Sequence, residues 1–366
     1  MNKIERMKSA ITKKGLPDKV PHGDAMIWPQ LHDKILGGNT FKDNPKVNYL
    51  VYWMSEEFDE DFFIRDKMTR EFLNFDWVHI FPTEKWKLIN DLDNEIKIKE
   101  DPFGVLWKIS SDSFSMHKSP INDIDDLRSY RIPSLNDFSF NNLTKWKLNS
   151  DFFKFAQIDS GIFKLYQILG FDKFMMTVMD NKSELIKFSE KLSFFQLELA
   201  KTAVKNGADC IWLSDDHSGL DSTFLSPELM WEIDFRFQQT IVSEIHKLGI
   251  PCIMHSCGNL NKSIELMIKT EIDGIMGIQP TANNDIYDYK KKYGDKISFI
   301  GNICVSNLMP KAKPYEVDAA VKKLIEYAGA GGGLVVSTCN SLLDDQPIEN
   351  VITLHLSVEK YGHCYK

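Results

Sequence analysis

The stretch that decides the fold runs from residue 207 to residue 257 and reads GADCIWLSDDHSGLDSTFLSPELMWEIDFRFQQTIVSEIHKLGIPCIMHSC. It begins with a short apolar segment, Ala208–Leu213, that is typical of a buried strand and ends in the polar run Ser214–Asp216. A segment of helical period follows, with Ser226 as its N-cap and Pro227 at its first helical position. A second apolar segment, Ile250–His255, predicts another strand. The stretch therefore reads as a strand–helix–strand unit with parallel strands.

The same rhythm continues on both sides of this unit. The segment Asn181–Asn206 has helical period and stops at Gly207, a residue typical of helix ends. Three more apolar runs, separated by segments of helical length, predict strands at Ile272–Ile278, Ile297–Ile303 and Gly333–Thr338. A doubly wound sheet would give the same linear pattern, but strands that are apolar on both faces suit the wall of a barrel. We predict an α/β fold, a (β/α)₈ TIM barrel.

The first half of the chain is less regular. Val20–Trp28 and Asp76–Phe81 are the candidates for the first two barrel strands. Two alternating runs within Glu95–Ile109 flank a turn at Asp101–Gly104 and predict a β-hairpin. We expect residues 85–150 to hold this hairpin and loops inserted over one face of the barrel. Within that insertion, the Asn- and Lys-rich segment 136–149 predicts a solvated loop.

The length and composition of the chain exclude several classes of protein. The 366 residues suit one barrel with insertions, and because no linker or low-complexity run divides the chain, we expect a single domain over residues 1–366. A charged fraction of 26% with 43% hydrophobic residues excludes extended disorder. The net charge of −8 argues against a nucleic-acid partner. No apolar run is long enough for a membrane span or a signal peptide, so we expect a cytoplasmic protein without membrane contact.

Six cysteines are too few and too unevenly spaced for a disulfide framework in a chain of this length. Reduced thiols or metal ligands are the better expectation. Two of the cysteines fall inside predicted strands and suit core packing, and Cys304 ends another strand and competes as a metal ligand. The six are Cys210, Cys252, Cys257, Cys304, Cys339 and Cys364.

His255 and Cys257 form an H-x-C pair directly after one predicted strand, and Cys339 directly follows another. In a barrel of parallel strands, residues just past the strand ends converge on the C-terminal face, where barrel enzymes build their sites. Two thiolates and one imidazole suit Zn²⁺ and leave a fourth tetrahedral position open, as in catalytic zinc sites. The alternative is that both cysteines are small core residues and His255 is a hydrogen-bonded core histidine.

Polar residues after the strand Ala208–Leu213 should face the same mouth of the barrel. Asp216 and His217 are the candidate catalytic residues, and Asp215 is a candidate substrate contact, because a carboxylate beside zinc can orient a ligand or accept a proton. The alternative is a solvated loop in which Asp216 caps local backbone. Aromatic residues near strand ends, such as Phe81 and Trp212, could stack on an aromatic substrate, although core packing is their usual role. Further substrate-contact candidates at strand ends are Asp24, Trp28, Gln279 and Asn302.

The chain resembles a known family at these residues. An H-x-C pair within MHSCGN, followed about 80 residues later by the cysteine of GGGLVVSTCNSLLDDQPIENV, is similar to the zinc motif of the methylcobamide:coenzyme M methyltransferases. These enzymes form a branch of the uroporphyrinogen decarboxylase superfamily, which DKVPHGD at residues 18–24 and YGDKISFIGNI also resemble. The resemblance implies a (β/α)₈ barrel with zinc on His255, Cys257 and Cys339. The third segment reads S-T-C-N where a glycine commonly precedes the cysteine, which leaves the substrate open.

Within this superfamily the sequence separates two chemistries. True uroporphyrinogen decarboxylases are metal-free and hold substrate carboxylates with an arginine-rich N-terminal motif. That motif is missing here, because only Arg6 lies before Arg65. The resemblance therefore implies a zinc-dependent methyltransferase that moves a methyl group between a small methylated substrate, or a thiol, and the cobalt of a corrinoid (cobalamin) protein.

The aromatic residues at strand ends favour the demethylating direction, with an aryl methyl ether as donor. The D-x-H-x-x-G signature of cobalamin-binding modules is absent, so we expect the corrinoid on a separate partner protein. Two alternatives stay open at this point. One is a metal-free decarboxylase-like enzyme of unknown substrate, and the other is a non-catalytic relative that binds a corrinoid or another ligand.

Overall fold

The computed structural model describes residues 1–38, 54, 60–92, 96–110, 113–363 and 365. Its strands are β1 (Trp77–Ile80), β2 (Thr83–Glu84), β3 (Lys87–Leu92), β4 (Ile96–Glu100), β5 (Leu106–Ile109), β6 (Phe114–Lys118), β7 (Phe138–Ser139), β8 (Phe153–Asp159), β9 (Cys210–Ser214), β10 (Cys252–Ser256), β11 (Gly274–Gly277), β12 (Ser298–Ile303) and β13 (Leu334–Thr338).

The helices, in chain order, are α1 (Lys3–Thr12), α2 (Pro29–Leu36), α3 (Glu60–Phe72), α4 (Ile124–Ser129), α5 (Asn141–Asn149), α6 (Gly161–Leu169), α7 (Phe171–Asp180), α8 (Lys182–Asn206), α9 (Pro227–Met230), α10 (Arg236–His246), α11 (Ile264–Lys269), α12 (Ile286–Tyr293), α13 (Leu308–Lys311), α14 (Pro314–Ala328) and α15 (Ile348–Tyr361). A π-helical segment, Trp231–Phe235, joins α9 to α10. Among these helices, none combines the length and the apolar character needed to cross a bilayer.

The central sheet is parallel and runs in the order β1-β8-β9-β10-β11-β12-β13. An extended N-terminal segment lies between its two outer strands. The backbone N–H of Val336 in β13 donates to the Pro21 carbonyl oxygen at 2.9 Å, and the N–H of Asp76, just before β1, donates to the His22 carbonyl at 2.8 Å. This segment takes the eighth place in the wall and closes the sheet, so the predicted TIM barrel is confirmed.

The strand β8 was missed by the sequence analysis. Its sequence, FKFAQID, interrupts the apolar run with a lysine, which reads as a solvent-exposed position. In the structure Lys154 is buried, and its Nζ lies 2.7 Å from Asp209 Oδ2 and donates to the Phe152 carbonyl. A buried lysine is tolerated because its charge is paired and hydrogen-bonded. The strands predicted in the second half of the chain and at Asp76–Phe81 are present, with boundaries that differ by one to a few residues. The strand predicted at Val20–Trp28 is wrong, because this segment is extended chain that pairs through isolated bridges, His22 with Val336 and Ile27 with Leu342.

Helix α1 closes one end of the barrel. Met7, Ala10 and Ile11 are fully buried and pack in the same apolar cluster as barrel-interior residues such as Trp77 and Phe155. The helix begins with a capping box, in which the Asn2 side chain accepts from the Glu5 N–H. With this end filled, the opposite, C-terminal end of the strands is the one left for a site.

The insertion holds a four-stranded antiparallel sheet in the order β3-β4-β5-β6. Pairing of β4 with β5 confirms the predicted hairpin, and Asp101 fixes its turn by accepting from the Val105 N–H at 2.9 Å. The predicted loop at 136–149 is wrong, since most of it is α5. Leu143 and Trp146, three positions apart, are buried and hold the helix against the core, which outweighs the low helix propensity of its asparagines.

The helix limits at Gly207 and Ser226 and the burial of two cysteines agree with the predictions from the sequence. Helix α8 stops at Gly207, whose φ is 109°, and Ser226 caps α9 by accepting from the Leu229 N–H. The cysteines that the structure describes are free thiols, and Cys210 and Cys252 are buried in β9 and β10 as predicted. Cys364 lies outside the described residues.

Candidate metal and substrate site

A cavity of about 310 Å³ lies at the C-terminal end of the barrel strands. Its wall includes residues from neighbouring strands or from the turns directly after them. The residues that matter for its chemistry are His79, Gln157, Trp212, Asp216, His255 and Cys257. The cavity is thus in the place where barrel enzymes assemble their sites, with both polar and apolar lining.

Three possible metal ligands converge in this cavity. Ligand atoms of Asp216, His255 and Cys257 all lie within 4.8 Å of one another. His255 Nε2 is 3.5 Å from Cys257 Sγ and 3.5 Å from Asp216 Oδ1. Zinc bonds of about 2.3 Å to sulfur and about 2.0 Å to nitrogen or oxygen put tetrahedral ligand atoms about 3.3–3.6 Å apart. The two distances from His255 Nε2 therefore suit ligands of one tetrahedral zinc ion, and the Cys257 sulfur and an Asp216 oxygen lie within 4.8 Å of each other.

The tautomer of His255 also suits metal binding. Its Nδ1 lies 3.0 Å from Met276 Sδ on the next strand. A thioether sulfur only accepts hydrogen bonds, so Nδ1 carries the proton and donates. The lone pair is left on Nε2, the atom that faces Cys257 and Asp216.

Asp216 and the turn after β10 are held together by backbone contacts. Asp216 Oδ1 accepts from the Cys257 N–H at 2.7 Å, and the Asp216 carbonyl accepts from the Tyr166 hydroxyl at 3.0 Å. Gly258 has a φ of 81°, and a Cβ there would lie 2.4 Å from the Ser218 carbonyl oxygen. Only glycine lets the two turns approach this closely.

The surroundings of His255 and Cys257 disfavour the charged form of both side chains. Burial lowers the pKa of His255, and burial together with the neighbouring Asp216 raises the pKa of the Cys257 thiol well above its usual value. Burial also raises the pKa of Cys339 to about 11. A cation bound between these groups would reverse this balance, because a thiol that coordinates a metal binds as the thiolate and releases its proton to solvent or a base.

Cys339 follows β13 at the same end of the barrel, but it is not in the set of ligand atoms within 4.8 Å. The next residue, Asn340, donates from Nδ2 to Cys257 Sγ at 3.3 Å. Cys304, the competing candidate, lines a second cavity of about 630 Å³ instead.

Asp215 and His217 lie behind the cavity wall. Asp215 is fully buried, and its carboxylate accepts from the Phe163 N–H and from Gln238 Nε2, both at 2.9 Å. His217 is also fully buried, with Nδ1 3.3 Å from Asp215 Oδ2 and its ring edge-on to Phe235. Of the three polar residues predicted after β9, the structure brings Asp216 to the cavity.

The other predicted substrate contacts are placed elsewhere in the part of the chain that the structure describes, outside the cavity lining. Asp24 is buried and accepts from the Thr338 N–H at 2.7 Å, with His355 Nε2 3.0 Å from its second oxygen. Trp28 precedes α2, and its N–H donates to the Leu342 carbonyl. Gln279 accepts from the Gly258 N–H at 3.2 Å, and Asn302 lines the cavity that contains Cys304.

The cavity also holds residues that sequence reasoning did not single out. His79 in β1 and Gln157 and Asp159 in β8 line it, as does Asn340. A histidine inside the apolar run of β1 was a usable signal. Gln157 and Asp159 had none, because β8 itself was not predicted. Phe81 and Trp212, the possible stacking residues predicted from the sequence, both line the cavity.

Comparison with known proteins places the chain in a family. The pattern described as Uroporphyrinogen decarboxylase (URO-D) matches residues 101–361, well over half of the chain and including the whole donor set. The chain belongs to the uroporphyrinogen decarboxylase family. This confirms the resemblance drawn from the sequence motifs.

Members of the family with different activities match this chain about equally well. It is 26% identical over 179 residues to the methylcobamide:CoM methyltransferase MtbA of Methanosarcina acetivorans, which covers 49% of this chain and 50% of that protein. It is 26% identical over 177 residues to a uroporphyrinogen decarboxylase of Coxiella burnetii, which covers 47% of this chain and 46% of that protein. The matched region thus spans about half the length of each relative.

A solved structure of this family fold aligns along the whole chain. A methyltransferase from Methanosarcina mazei superposes with a TM-score of 0.74 over 99% of both chains, at 16% sequence identity. At that identity the similarity establishes the fold. The sequence relatives named above are a methyltransferase and a decarboxylase.

Proposed function

We propose that this single-domain protein is a zinc-dependent methyltransferase that passes the methyl group of a small methylated substrate, an aryl methyl ether, to the cobalt of a separate corrinoid protein. The observation that carries the proposal is the donor set in the cavity. His255 Nε2 lies 3.5 Å from Cys257 Sγ, a distance that suits two ligands of one tetrahedral zinc ion, and an Asp216 oxygen lies within 4.8 Å of both in the wall of a cavity large enough for a small substrate.

His255 and Cys257 would hold the metal, with Cys339 as the third ligand predicted from the sequence. Zinc bound there would act as a Lewis acid on a methoxy oxygen or a thiol. Asp216 touches both His255 and Cys257. With Cys339 as the third ligand, Asp216 does not itself bind zinc, and we assign it two roles: it orients His255 and Cys257, and it exchanges a proton with the substrate oxygen.

The aromatic side chains of the cavity favour an aromatic substrate. Phe81, Phe114, Phe163 and Trp212 line the cavity together with the donor set. Rings of this kind bind a planar apolar molecule by stacked or edge-to-face contacts. They also keep water away from the reacting bond.

The reaction balances without a further reactant. The bond between the methyl carbon and the oxygen breaks, and cobalt(I) supplies the electron pair of the new cobalt–carbon bond, becoming methylcobalt(III). The oxygen keeps the electron pair of the broken bond and takes up a proton. This chain binds and orients the methoxy group, and its cavity must remain open to a partner that brings the cobalt to the methyl carbon.

Two measurements test the proposal. Metal analysis of the purified protein should give about one zinc per chain. Mixing the zinc-loaded protein with a cobalt(I) corrinoid protein and a panel of methoxy-aromatics and methylated thiols should give the spectrum of methylcobalt(III). Methylcobalt(III) with free thiols tests the opposite direction.

The outcomes separate the proposal from its rivals. A metal-free protein that releases CO₂ from a carboxylated substrate is the decarboxylase-like alternative, which the uroporphyrinogen decarboxylase relatives suggest. A protein that binds the corrinoid partner but transfers no methyl group in either direction is the non-catalytic alternative. Full activity without any corrinoid contradicts the proposal.

A further inference from the structure

The side chain of Asn340 links the two cysteines of the candidate metal site. Asn340 directly follows Cys339 in the chain, and its Nδ2 donates to Sγ of Cys257 at 3.3 Å, across 83 residues of sequence. Asn340 and Cys257 line the same cavity. The proposed function gives this amide no role, although it contacts the sulfur of a proposed zinc ligand.

The neighbouring serine fixes which end of the amide faces the sulfur. Asn340 Oδ1 accepts from the Ser341 N–H at 2.7 Å and from the Ser341 hydroxyl at 3.2 Å. A backbone N–H only donates, so the atom opposite it is the amide oxygen. Turning the amide round would set N–H against N–H at Ser341. The NH₂ group of Asn340 is therefore the end that points at Cys257.

The backbone of this turn is held on both sides of Cys339. The N–H of Thr338 donates to Oδ1 of the fully buried Asp24 at 2.7 Å, and the Thr338 hydroxyl donates to the Asn340 carbonyl oxygen. The N–H of Cys339 donates to the Ile303 carbonyl at 2.8 Å. These bonds fix the direction in which the Asn340 side chain leaves the turn, so the donor is in place before a metal binds.

The sulfur of Cys257 has two polar neighbours with different roles. His255 Nε2, 3.5 Å away, carries a lone pair, because Nδ1 uses the proton of the ring on Met276. Among the residues that the structure describes, Asn340 is thus the one that donates a hydrogen bond to this sulfur. When the thiol becomes a thiolate ligand, this bond becomes charge-assisted and gains strength.

We propose that Asn340 is a positioning residue of the metal site, whose Nδ2–H donates to the Cys257 thiolate, stabilises it as a ligand and makes the bound zinc a stronger Lewis acid. A donor on a ligating sulfur holds part of its negative charge, so the sulfur gives less charge to the metal. The inference rests on the proposed function for the zinc at Cys257 and adds the residue that sets the donor strength of this ligand.

The first test is the metal affinity of Asn340 variants, measured by competition with a chelator at pH 7. Asn340→Ala removes the donor and should weaken zinc binding by about 10- to 100-fold, the usual effect of losing a group that holds a metal ligand. Asn340→Asp keeps the shape but puts an anion against the thiolate, so it should weaken binding further. Circular dichroism checks that both variants are folded.

The matched control is Asn261→Ala. Asn261 lies in the loop after the same strand as Cys257, but its amide donates to the Asn283 carbonyl at 3.1 Å instead of to a sulfur. This variant should bind zinc as the parent does.

The second test is spectroscopic and separates an effect on the sulfur from a general disturbance of the site. In protein loaded with Co²⁺ in place of zinc, the near-ultraviolet band arises from charge transfer from sulfur to the metal. Losing the hydrogen bond raises the energy of the sulfur lone pairs, so this band should move to longer wavelength in Asn340→Ala. The visible bands, which report the coordination geometry, should keep their positions.

An unchanged zinc affinity or an unchanged charge-transfer band in Asn340→Ala would overturn the inference, as would equal changes in Asn261→Ala or a parent protein that binds neither metal. Its failure is distinct from that of the proposed function. Methyl transfer in a protein whose metal site ignores Asn340 would refute the inference alone. A metal site that depends on Asn340 but supports no methyl transfer would refute the proposed function alone.

Discussion

Asp216 Oδ1 accepts a hydrogen bond from the backbone N–H of Cys257 at 2.7 Å. The same oxygen lies 3.5 Å from Nε2 of His255. One carboxylate oxygen therefore touches both residues of the H-x-C pair, although Asp216 lies in the turn after the preceding barrel strand, β9. This contact links the turn after β9 to the turn after β10, and it makes Asp216 the most informative residue to change.

Asp216→Asn keeps the volume and the acceptor for the Cys257 N–H while it removes the negative charge. If Asp216 orients the ligands and handles a proton, turnover should fall by about 100-fold or more, with zinc content lowered far less. Zinc analysis and single-turnover methyl transfer measure the two effects. Asp221→Asn, at an exposed position in the same loop, is the control. Unchanged turnover would leave Asp216 a structural cap.

Cys339→Ser should weaken zinc binding by about 100-fold or more if Cys339 is the third ligand, since serine replaces a thiolate with a poorer donor. Cys304→Ser is the matched control, because Cys304 also follows a barrel strand but lines the second cavity. Competition with a chelator measures the affinity. If Cys339→Ser keeps its zinc while Asp216→Asn loses it, the ligands are instead Asp216, His255 and Cys257.

Glu359→Gln should reduce the acid dependence of stability. Burial alone would raise the pKa of Glu359, but hydrogen bonds from His22 and Lys19 lower it to about 2, from 4.5. A lowered folded-state pKa stabilises the protein above about pH 4.5, and this contribution disappears as the pH falls through about 2.

At pH 7 the free energy of unfolding of Glu359→Gln should therefore be about 1–3 kcal/mol lower than that of the parent. This value allows for the partial exposure of the carboxylate, which weakens its interactions. The difference should vanish toward pH 2 in urea titrations at a series of pH values. Glu326→Gln, on the exposed face of α14, should show neither effect. A difference that is constant with pH would contradict the linkage.

Arg70→Met should destabilise the fold. Arg70 is 2% exposed, and its guanidinium donates to Asp66 Oδ1 and to the carbonyls of Asp24 and Ala25, all within 2.9 Å. These bonds tie α3 to the segment that closes the barrel. Removing the cation leaves the buried Asp66 unpaired, and we expect a loss of about 3–5 kcal/mol.

Urea unfolding followed by circular dichroism measures this loss. The control is Arg236→Met, an exposed arginine on α10, which should change stability by less than about 0.5 kcal/mol. A similar small change in Arg70→Met would show that the closing segment is held by its strand contacts with β1 and β13 alone.

The sequence by itself determined the barrel and the H-x-C pair. Apolar runs such as Ala208–Leu213 and Ile250–His255 are buried on both faces, so their hydrophobicity is a local property that can be read along the chain. The helix limits at Gly207 and Ser226 are equally local, because caps depend on adjacent residues. The position of His255 and Cys257 after a strand was sufficient to place them at the mouth.

Only the tertiary structure decided which polar residues share the cavity. Asp215, Asp216 and His217 are consecutive, yet Asp216 alone among them lines it, because the turn after β9 directs Asp215 to Gln238 and α6. His79 meets Gln157 across a distance of 78 residues through the pairing of β1 with β8. Such contacts depend on strand order and register, which bring together residues that no local pattern connects.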